Sequence, residues 1–144
     1  MVAPRTYQTT IKVRFDETDA VGVVHFSNYF RYFGIGYADL MDSIGFPPLK
    51  GGARVSEDIT FPRREANCRY YAPARFGEEL TLSTGLSKVT RSNLTFRFSL
   101  RRGRRRIAEG SVTCVAVDKK RWKSIAIPPK LLDRLRKEGY LPRD

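Results

Sequence analysis

One stretch of this chain, Lys12–Tyr29, holds the residues with the clearest potential for chemistry, because a turn rich in carboxylates precedes a long apolar helix there. Asp19 lies just ahead of the predicted helix N-terminus, where backbone N–H groups carry partial positive charge. A carboxylate acts as a nucleophile or as the base for water, and N–H donors stabilise negative charge on a carbonyl oxygen. The stretch therefore favours attack on a carbonyl, with Asp16, Glu17 and Asp19 as the candidate carboxylates.

The elements on either side of this turn follow from the spacing of apolar residues. Over residues 7–15, aromatic or β-branched side chains at the odd positions alternate with polar ones at the even positions. This alternation predicts a strand with one buried face. Ser27 is a favourable helix N-cap, and apolar residues recur at helical spacing from there to Ile44, where Gly45 provides a stop. Because the apolar face extends almost all round, we expect this helix to be mostly buried.

Two glycines, Gly34 and Gly36, lie inside the predicted helix. Each costs about 1 kcal/mol relative to alanine in a helix interior. We expect another backbone to approach the helix closely at these positions, as a sheet wrapped tightly round it would.

The rest of the chain has the alternation and turn signals of an antiparallel sheet. Strands are predicted over residues 61–71, 80–86, 94–101 and 107–117, with a flexible connection at Lys50–Gly52 and a short amphipathic helix from Pro128. This order predicts an α+β fold, in which an antiparallel sheet of about five strands wraps around one long central helix. Such a sheet leaves edges and an outer face exposed, so we expect a homodimer or homotetramer.

The composition indicates one globular domain over residues 1–144. No window of 18 apolar residues predicts a membrane span, and the N-terminus lacks the apolar core of a secretory signal. Cys68 and Cys114 have no CxxC spacing, so we expect reduced thiols in a cytoplasmic protein. His25 is the only histidine, and no metal site is predicted.

The positive charge is concentrated in the second part of the chain. Residues 1–85 have 10 basic and 10 acidic side chains, whereas residues 86–144 have 17 basic and 5 acidic ones. A nucleic acid, an anionic surface or a phosphorylated ligand would each explain the excess, and so would a basic solvated surface.

The segment Thr18–Tyr29, TDAVGVVHFSNY, resembles the 4-hydroxybenzoyl-CoA thioesterase family of hotdog-fold proteins. The tol-pal-type acyl-CoA thioesterases and the dihydroxynaphthoyl-CoA thioesterases share this pattern of Thr-Asp, a glycine three residues later, two valines, an aromatic residue and Asn-Tyr. Tyr70–Arg75 and Gly77 resemble a strand exit of the same family, and the element order agrees along nearly the whole chain. The resemblance implies the hotdog fold and thioester hydrolysis.

The resemblance also implies particular roles. Asp19 matches the active-site carboxylate of the family, the backbone N–H of Phe26 matches the group that polarises the thioester carbonyl, and Gly22 matches the turn glycine that lets the chain approach substrate. His25 occupies a position often held by tyrosine or tryptophan beside the acyl pocket. Acyl specificity is therefore expected to depend on His25.

Further substrate contacts are predicted with a structural alternative for each. His25 is expected to line the acyl pocket or to pack at the helix entry, with a role as general base as the third alternative. Asn28 and Tyr29 are expected to orient substrate or water or to pack at the helix start. Glu65 is a candidate for the site of a neighbouring subunit. Lys88 and Arg91 are expected to bind the phosphates of coenzyme A, whereas the arginines at 101–106 have the composition of a solvated hairpin tip.

Together these features predict an acyl-CoA thioesterase that hydrolyses an acyl- or aroyl-CoA to the free acid and CoA. No cofactor is expected, because coenzyme A enters as part of the substrate. Two alternatives stay open: a non-catalytic hotdog module that binds acyl-CoA or RNA, and a thioesterase acting on acyl carrier protein, whose acidic surface would suit a basic enzyme. The sequence has no RNA-binding motif, so a nucleic acid partner is not expected.

Overall fold

The computed structural model describes residues 4–46 and 58–141, and the predicted connection at Lys50–Gly52 lies outside them. Two helices and eight strands follow one another along these residues. They are β1 (Tyr7–Lys12), α1 (Asn28–Ser43), β2 (Ile59–Thr60), β3 (Arg63–Tyr70), β4 (Glu79–Val89), β5 (Asn93–Arg102), β6 (Arg105–Val115), β7 (Val117–Asp118), β8 (Lys123–Ser124) and α2 (Pro129–Lys137).

The five longer strands form one antiparallel sheet in the order β1-β4-β5-β6-β3, and its inner face packs against α1. This is the hotdog fold, so the predicted α+β class with a central helix and a short C-terminal helix is confirmed. The strands β2, β7 and β8 form a separate small sheet. No helix within 4–46 and 58–141 is long and apolar enough to cross a membrane.

Alternation along the strands separates a buried inner face from a polar outer face. On β5, Leu94, Phe96, Phe98 and Leu100 are buried, and the last two lie opposite Gly110 and Ala108 of β6. A Cβ on Gly110 would collide with the ring of Phe33 and the backbone of β3, so glycine is what lets α1 approach the sheet here.

The two helix glycines differ in what they face. A Cβ on Gly36 would lie 2.6 Å from Leu82 Cδ2 and would also collide with the Thr84 hydroxyl, whereas a Cβ on Gly34 would meet nothing within 4 Å. The expected close approach therefore occurs at Gly36, against side chains of β4 rather than backbone. For Gly34 the prediction was wrong, because that side of the helix is open.

Other sequence predictions need correction at their edges. The first strand ends at Lys12, since residues 15–17 form a 3₁₀ turn and the Phe15 side chain is exposed. The helix begins at Asn28 and is buried on one side only, because Phe30 and Ile35 are exposed on the other. The strand predicted over 61–71 spans Arg63–Tyr70.

The sheet has two ends that are used below. At the site end, β1 and β3 finish, β4 begins and the β5–β6 hairpin turns at Gly103. At the far end, β4 passes into β5 through residues 90–92. Gly103 has φ of 58° in a two-residue turn, which is the conformation that favours glycine at the first central position.

Candidate active site

Asp19 lies in a tight turn at the site end of the sheet. Its carboxylate Oδ1 accepts hydrogen bonds from the N–H of Val21 at 2.9 Å and of Val23 at 3.4 Å, and its carbonyl accepts from the N–H of Gly22 at 2.9 Å. Gly22 has φ of 88°, which a side chain disfavours. The side chain of Asp19 is exposed, and no described hydrogen bond uses its second oxygen, Oδ2.

The turn is tied to the connection between β3 and β4. Val24 donates its N–H to the carbonyl of Ala74 at 2.8 Å, and Val23 forms a β-bridge with Arg75. A second bridge joins Thr18 to Val24 across the turn itself. These backbone bonds hold Asp19 in place relative to the sheet.

Beneath the turn, Glu17 is buried and links three parts of the chain. Its carboxylate Oε1 accepts from the hydroxyl of Tyr32 at 2.9 Å and from the N–H of Arg14 at 2.8 Å. Its carbonyl accepts from the side-chain amide of Asn28 at 2.8 Å and from the N–H of His25 at 2.9 Å. Burial, with the bond to Glu17, raises the pKa of Tyr32. Glu17 is therefore part of the support of the site and faces away from solvent.

Phe26 precedes α1 and exposes its ring. Its carbonyl accepts from the Tyr70 hydroxyl at 3.3 Å and from the Tyr29 N–H at 3.4 Å, while no hydrogen bond within the described residues uses its own N–H. The bond from Tyr70 connects the end of β3 to this segment. Sequence reasoning named Tyr70 only as part of a resembling segment, because its contact with residue 26 is non-local.

The side chains of His25 and Ser27, on either side of Phe26 in the sequence, are hydrogen-bonded to each other. His25 Nδ1 lies 2.8 Å from the Ser27 hydroxyl and accepts from the Ser27 N–H at 3.3 Å, and the rings of His25 and Phe26 are 4.6 Å apart. Ser27 occupies the N-cap position, yet its hydroxyl makes no capping bond to the helix. The predicted cap by this side chain was wrong, because His25 takes the hydroxyl instead.

Asn28 and Tyr29 are buried at the start of α1. The amide of Asn28 is used by Glu17, and the Tyr29 ring lies 5.0 Å from the Tyr70 ring, edge to face. Burial raises the pKa of Tyr29. Both side chains pack in the framework of the site, which is the structural alternative considered from sequence.

The other predicted residues lie away from Asp19 in the same protomer. Glu65 is exposed on β3 and shares the outer face with Asn67. Lys88 and Arg91 lie at the far end, and β4 alone separates Lys88 from the site end by about 30 Å, at roughly 3.3 Å per residue. The structure therefore brings Asp19, Gly22, His25 and Phe26 together and leaves these three residues apart.

An apolar cavity of about 120 Å³ opens between α1 and the inner face of β3, β5 and β6. Phe30 and Gly34 line its helix side, and Ala66 and Val112 line its sheet side. Arg63 closes one edge, with its guanidinium 4.4 Å from the centre of the Tyr37 ring. This cavity was not predicted from the sequence, since it depends on the open side of Gly34. Within the described ranges, no three histidine, cysteine, aspartate or glutamate side chains cluster as metal ligands.

Comparison with known proteins gives consistent matches along most of the chain. The sequence profile of the thioesterase-like superfamily matches residues 13–135. The acyl-CoA thioester hydrolase YbgC of Escherichia coli O157:H7 is 24% identical over 127 residues, which are 88% of this chain and 92% of that protein. The 1,4-dihydroxy-2-naphthoyl-CoA hydrolase of Prochlorococcus marinus (strain NATL2A) is 27% identical over 112 residues, covering 74% of this chain and 72% of that protein.

Solved structures are similar as well. The crystal structure of the hypothetical protein TT1821 from Thermus thermophilus superposes with a TM-score of 0.81 at 31% identity, over 90% of this chain and 97% of the other. The similarity thus extends from the turn at Asp19 to the C-terminal helix.

Proposed function

The chain belongs to the thioesterase-like superfamily, and we propose that it hydrolyses acyl- or aroyl-CoA thioesters to the free acid and coenzyme A, with Asp19 as the reacting carboxylate. One observation carries the role of Asp19. Its Oδ1 is fixed by two backbone N–H groups at an exposed turn. No hydrogen bond among the described residues uses its Oδ2 or the N–H of Phe26, which is close to it in sequence. The proposed mechanism uses only residues of the chain, and we propose a cytoplasmic location, as expected from the sequence.

Chemically, Oδ2 of Asp19 has two routes. As a nucleophile it attacks the thioester carbonyl, expels the CoA thiolate and leaves a mixed anhydride that water hydrolyses. As a base it takes a proton from water, which attacks the same carbonyl. In both routes the Phe26 N–H donates to the carbonyl oxygen as negative charge develops, a contribution of about 10²–10³ in rate. The thiolate leaves readily, since a free thiol has a pKa of about 8.5.

The substitution Asp19→Asn tests this assignment. Asparagine retains an oxygen that accepts from Val21 and Val23, so the turn should survive while the anionic Oδ2 is lost. We expect kcat/KM to fall by about 10³ on any acyl-CoA of a panel assayed by thiol release, with an unchanged melting temperature. Unchanged turnover in a folded Asp19→Asn protein would exclude the carboxylate as the reacting group.

The two routes differ in where solvent oxygen is incorporated. A single turnover with excess enzyme in H₂¹⁸O can label the Asp19 carboxylate only through the anhydride. Label confined to the product acid over repeated turnovers means that water attacks the acyl carbon, as the general-base route requires, and excludes an anhydride opened at the Asp19 carbonyl. Mass spectrometry of the peptide that contains residues 15–30 gives the readout.

For the acyl group we propose the apolar cavity beside Gly34, entered past His25. Phe30, which lines the cavity, is the third residue of α1 and lies about 3 Å along the helix axis from Asn28, so the cavity begins in the first turn of the helix. Asn28 and Tyr29 contribute by fixing the helix start. An aromatic or short aliphatic acyl group suits the phenylalanine and glycine lining, and replacing Gly34 with leucine should shift the preference towards smaller acyl groups.

For the phosphates of coenzyme A, we keep Lys88 and Arg91 as predicted contacts, but only for a site on a neighbouring protomer, because of their distance from Asp19. In the same protomer, Arg75 is adjacent to the site turn through its bridge to Val23. We propose that Arg75 receives the phosphate nearest the pantetheine arm. Its exposed guanidinium suits a phosphate contact.

We propose that the protein is a homodimer, or a dimer of such dimers, joined through β3. This strand forms the edge of the sheet and is exposed along most of its length. If two copies pair antiparallel with Asn67 at the two-fold axis, Glu65 of each copy lies opposite Arg69 of the other on the outer face. Both residues are two positions from Asn67, so the contact occurs twice. Glu65 would then lie near the site end of the second copy.

A charge exchange tests the dimer. Arg69→Glu should place two carboxylates opposite each other and weaken association, as measured by sedimentation, while Glu65→Arg/Arg69→Glu should restore it. Equal association of the single and double variants would exclude this register.

A further inference from the structure

The hairpin between β7 and β8 presents one aromatic side chain among several cations. Its loop, residues 119–122, has the sequence Lys-Lys-Arg-Trp, and Lys123 follows as the first residue of β8. We call residues 119–123 the basic tip. Trp122 is the only tryptophan of the chain, and its side chain is 63% exposed.

The basic tip projects from the far end of the sheet. Past the end of β6, strand β7 pairs with β2 and β8 and takes no part in the five-stranded sheet. The last strand pair before the loop joins Asp118 to Lys123. The loop therefore lies beyond the strands, at the opposite end of the molecule from Asp19.

Trp122 has a backbone conformation that favours glycine. Its φ is 54°, and among the described residues no other residue except glycine has a positive φ. Its N–H donates to the carbonyl of Asp118 at 2.7 Å, which closes the loop. A bulky residue is uncommon in this conformation, and residues held in such conformations cluster at ligand clamps and switch regions.

The fold itself makes little use of the Trp122 ring. Within residues 4–46 and 58–141, the ring takes part in no stacking or cation–π contact. By contrast, the exposed rings of Phe15 and Phe76 contact each other, with their centres 5.7 Å apart. An exposed ring on a strained backbone, without a packing partner in the described structure, indicates that the ring contacts another molecule.

Carboxylates compensate part of the charge of the basic tip. Lys120 lies 3.8 Å from Asp58 and Arg121 lies 3.7 Å from Asp118, and both cationic side chains are 79% exposed. Exposed ion pairs of this kind are weak. The other two cations of the tip make no ion pair in the described part of the chain. Four cations and two carboxylates leave a net positive charge around the ring, which attracts an anionic surface.

An anionic lipid surface fits this combination better than a nucleic acid does. Tryptophan favours the interface of a bilayer, where its ring lies against apolar groups and its N–H lies among polar ones. Lysine and arginine beside it are attracted by negatively charged headgroups. Surfaces that bind single-stranded nucleic acid combine a charged groove with aromatic side chains for successive bases. The basic tip is a projecting loop with a single aromatic ring.

We propose that the basic tip docks the protein on anionic lipid headgroups, with the Trp122 ring at the bilayer interface and the cations of the tip around it. The contact is peripheral, because only the loop enters the headgroup region. The docking does not depend on the proposed hydrolysis at Asp19. In the proposed β3 dimer, the far end of one copy lies beside the site end of the other, so a docked tip would bring the neighbouring active site to the membrane.

The fluorescence of the native protein tests the docking directly, because its tryptophan emission comes from Trp122 alone. Vesicles of phosphatidylglycerol and of phosphatidylcholine are titrated into the protein at low salt. We expect the emission to shift to shorter wavelength, with quenching by brominated lipid, for phosphatidylglycerol only. At about 1 M salt, where the screening length is about 3 Å, binding should weaken about tenfold or more.

Variants separate the basic tip from net charge. Trp122→Gly puts glycine where φ favours it, so the melting temperature should not fall. Lys119→Gln/Lys123→Gln removes two charges at the tip, and the control Arg97→Gln/Arg104→Gln removes two at exposed positions elsewhere. By co-sedimentation, we expect Trp122→Gly and the tip variant to bind phosphatidylglycerol vesicles about tenfold more weakly, and the control to change by less than about twofold.

Several results would overturn the docking. An unshifted emission with phosphatidylglycerol vesicles at low salt would exclude it, and this result needs no variant to fold. Equal losses in the tip variant and the control would assign the binding to net charge. A raised KM of Trp122→Gly for butyryl-CoA without vesicles would assign the tip to coenzyme A. Retention of RNA without binding of vesicles would assign the tip to nucleic acid.

Discussion

Two carboxylates stand on either side of Thr18, and the structure gives them opposite surroundings. Glu17 is buried and is hydrogen-bonded to Tyr32 and Arg14, whereas Asp19 is exposed and has one oxygen that no hydrogen bond in the described part of the chain uses. Both lie in the same acidic segment, and both are candidates by residue type. Their difference shows that hydrogen-bond partners, rather than residue type, separate a carboxylate that supports the site from one that can react.

The same division extends to the residues around them. The side chains of Asn28, Tyr29 and Tyr32 are buried with Glu17, and the side chains of His25 and Phe26 are exposed with Asp19. Substitutions below the turn should therefore act on the free energy of unfolding. Substitutions in the turn should act on turnover. The predictions that follow test this division, beginning with the largest expected change in stability.

Replacing Glu17 with alanine should produce the largest loss of stability. The hydroxyl of Tyr32 and the N–H of Arg14 would both lose their acceptor, and each buried unpaired group costs about 1–3 kcal/mol. We expect a loss of about 2–4 kcal/mol in urea unfolding, against less than about 0.5 kcal/mol for Asp19→Asn. Comparable losses in the two variants would contradict the division.

Alkaline pH should lower the free energy of unfolding through the buried tyrosines. Burial raises the pKa of Tyr37 to about 12 and raises that of Tyr32 as well, so the folded protein disfavours tyrosinate. The stabilisation from Tyr37 is fully present below its unfolded pKa of about 10 and is lost as pH rises through about 12. At about 1.36 kcal/mol per pKa unit, the free energy of unfolding falls by about 3 kcal/mol over this range.

Unfolding curves between pH 9 and 12 measure this effect. Tyr37→Phe should flatten the fall in stability over that interval, and Tyr7→Phe, at a half-buried tyrosine of β1, serves as the control. An unchanged slope in Tyr37→Phe would rule out its contribution.

The two helix glycines give a matched pair of smaller effects. Gly36→Ala would force its Cβ against Leu82 and Thr84, so overpacking of about 1–3 kcal/mol should outweigh the gain in helix propensity of about 1 kcal/mol. Gly34→Ala meets open space and should stabilise the protein by about 0.5–1 kcal/mol. A destabilised Gly34→Ala protein would indicate that another surface covers this position in solution.

At the turn itself, a modest change in stability should accompany a change in turnover. Gly22→Ala places a side chain at φ of 88°, which costs about 1–2 kcal/mol, and it should lower kcat several-fold by disturbing Asp19. Gly45→Ala is the control, because Gly45 has φ of 87° at the other end of α1 and equally open surroundings. Equal kcat in the two variants would mean that the shape of the turn has no effect on the reaction.

The fold was largely predictable because its strands have one apolar and one polar face. The alternation over residues 94–101 predicts a strand, and the structure has Asn93–Arg102. Helical spacing placed α1 within one residue of its start. Such patterns arise from burial on one side, which the order of residues records directly.

Side-chain partners were less predictable, since they depend on which groups compete. Ser27 has the right type for a cap, but its hydroxyl bonds to His25. Phe15 continues the alternation of the first strand, yet the strand has already ended and its ring is exposed. The roles of Asp19, Gly22 and Phe26 came from a family resemblance, and they stay predictions until the variants are made.

The exposed edge of β3 also bears on how this protein behaves at high concentration. Stacking identical copies in parallel register, as in a fibril, would place Arg63, Arg64 and Arg69 directly on their counterparts, and like charges in such ladders repel. Antiparallel pairing about Asn67 removes these contacts between like charges and sets each Arg69 opposite the Glu65 of the other copy. The charges on β3 therefore favour pairing with one partner strand and disfavour the continuous stacking of a fibril. This limits aggregation at the exposed edge of the sheet.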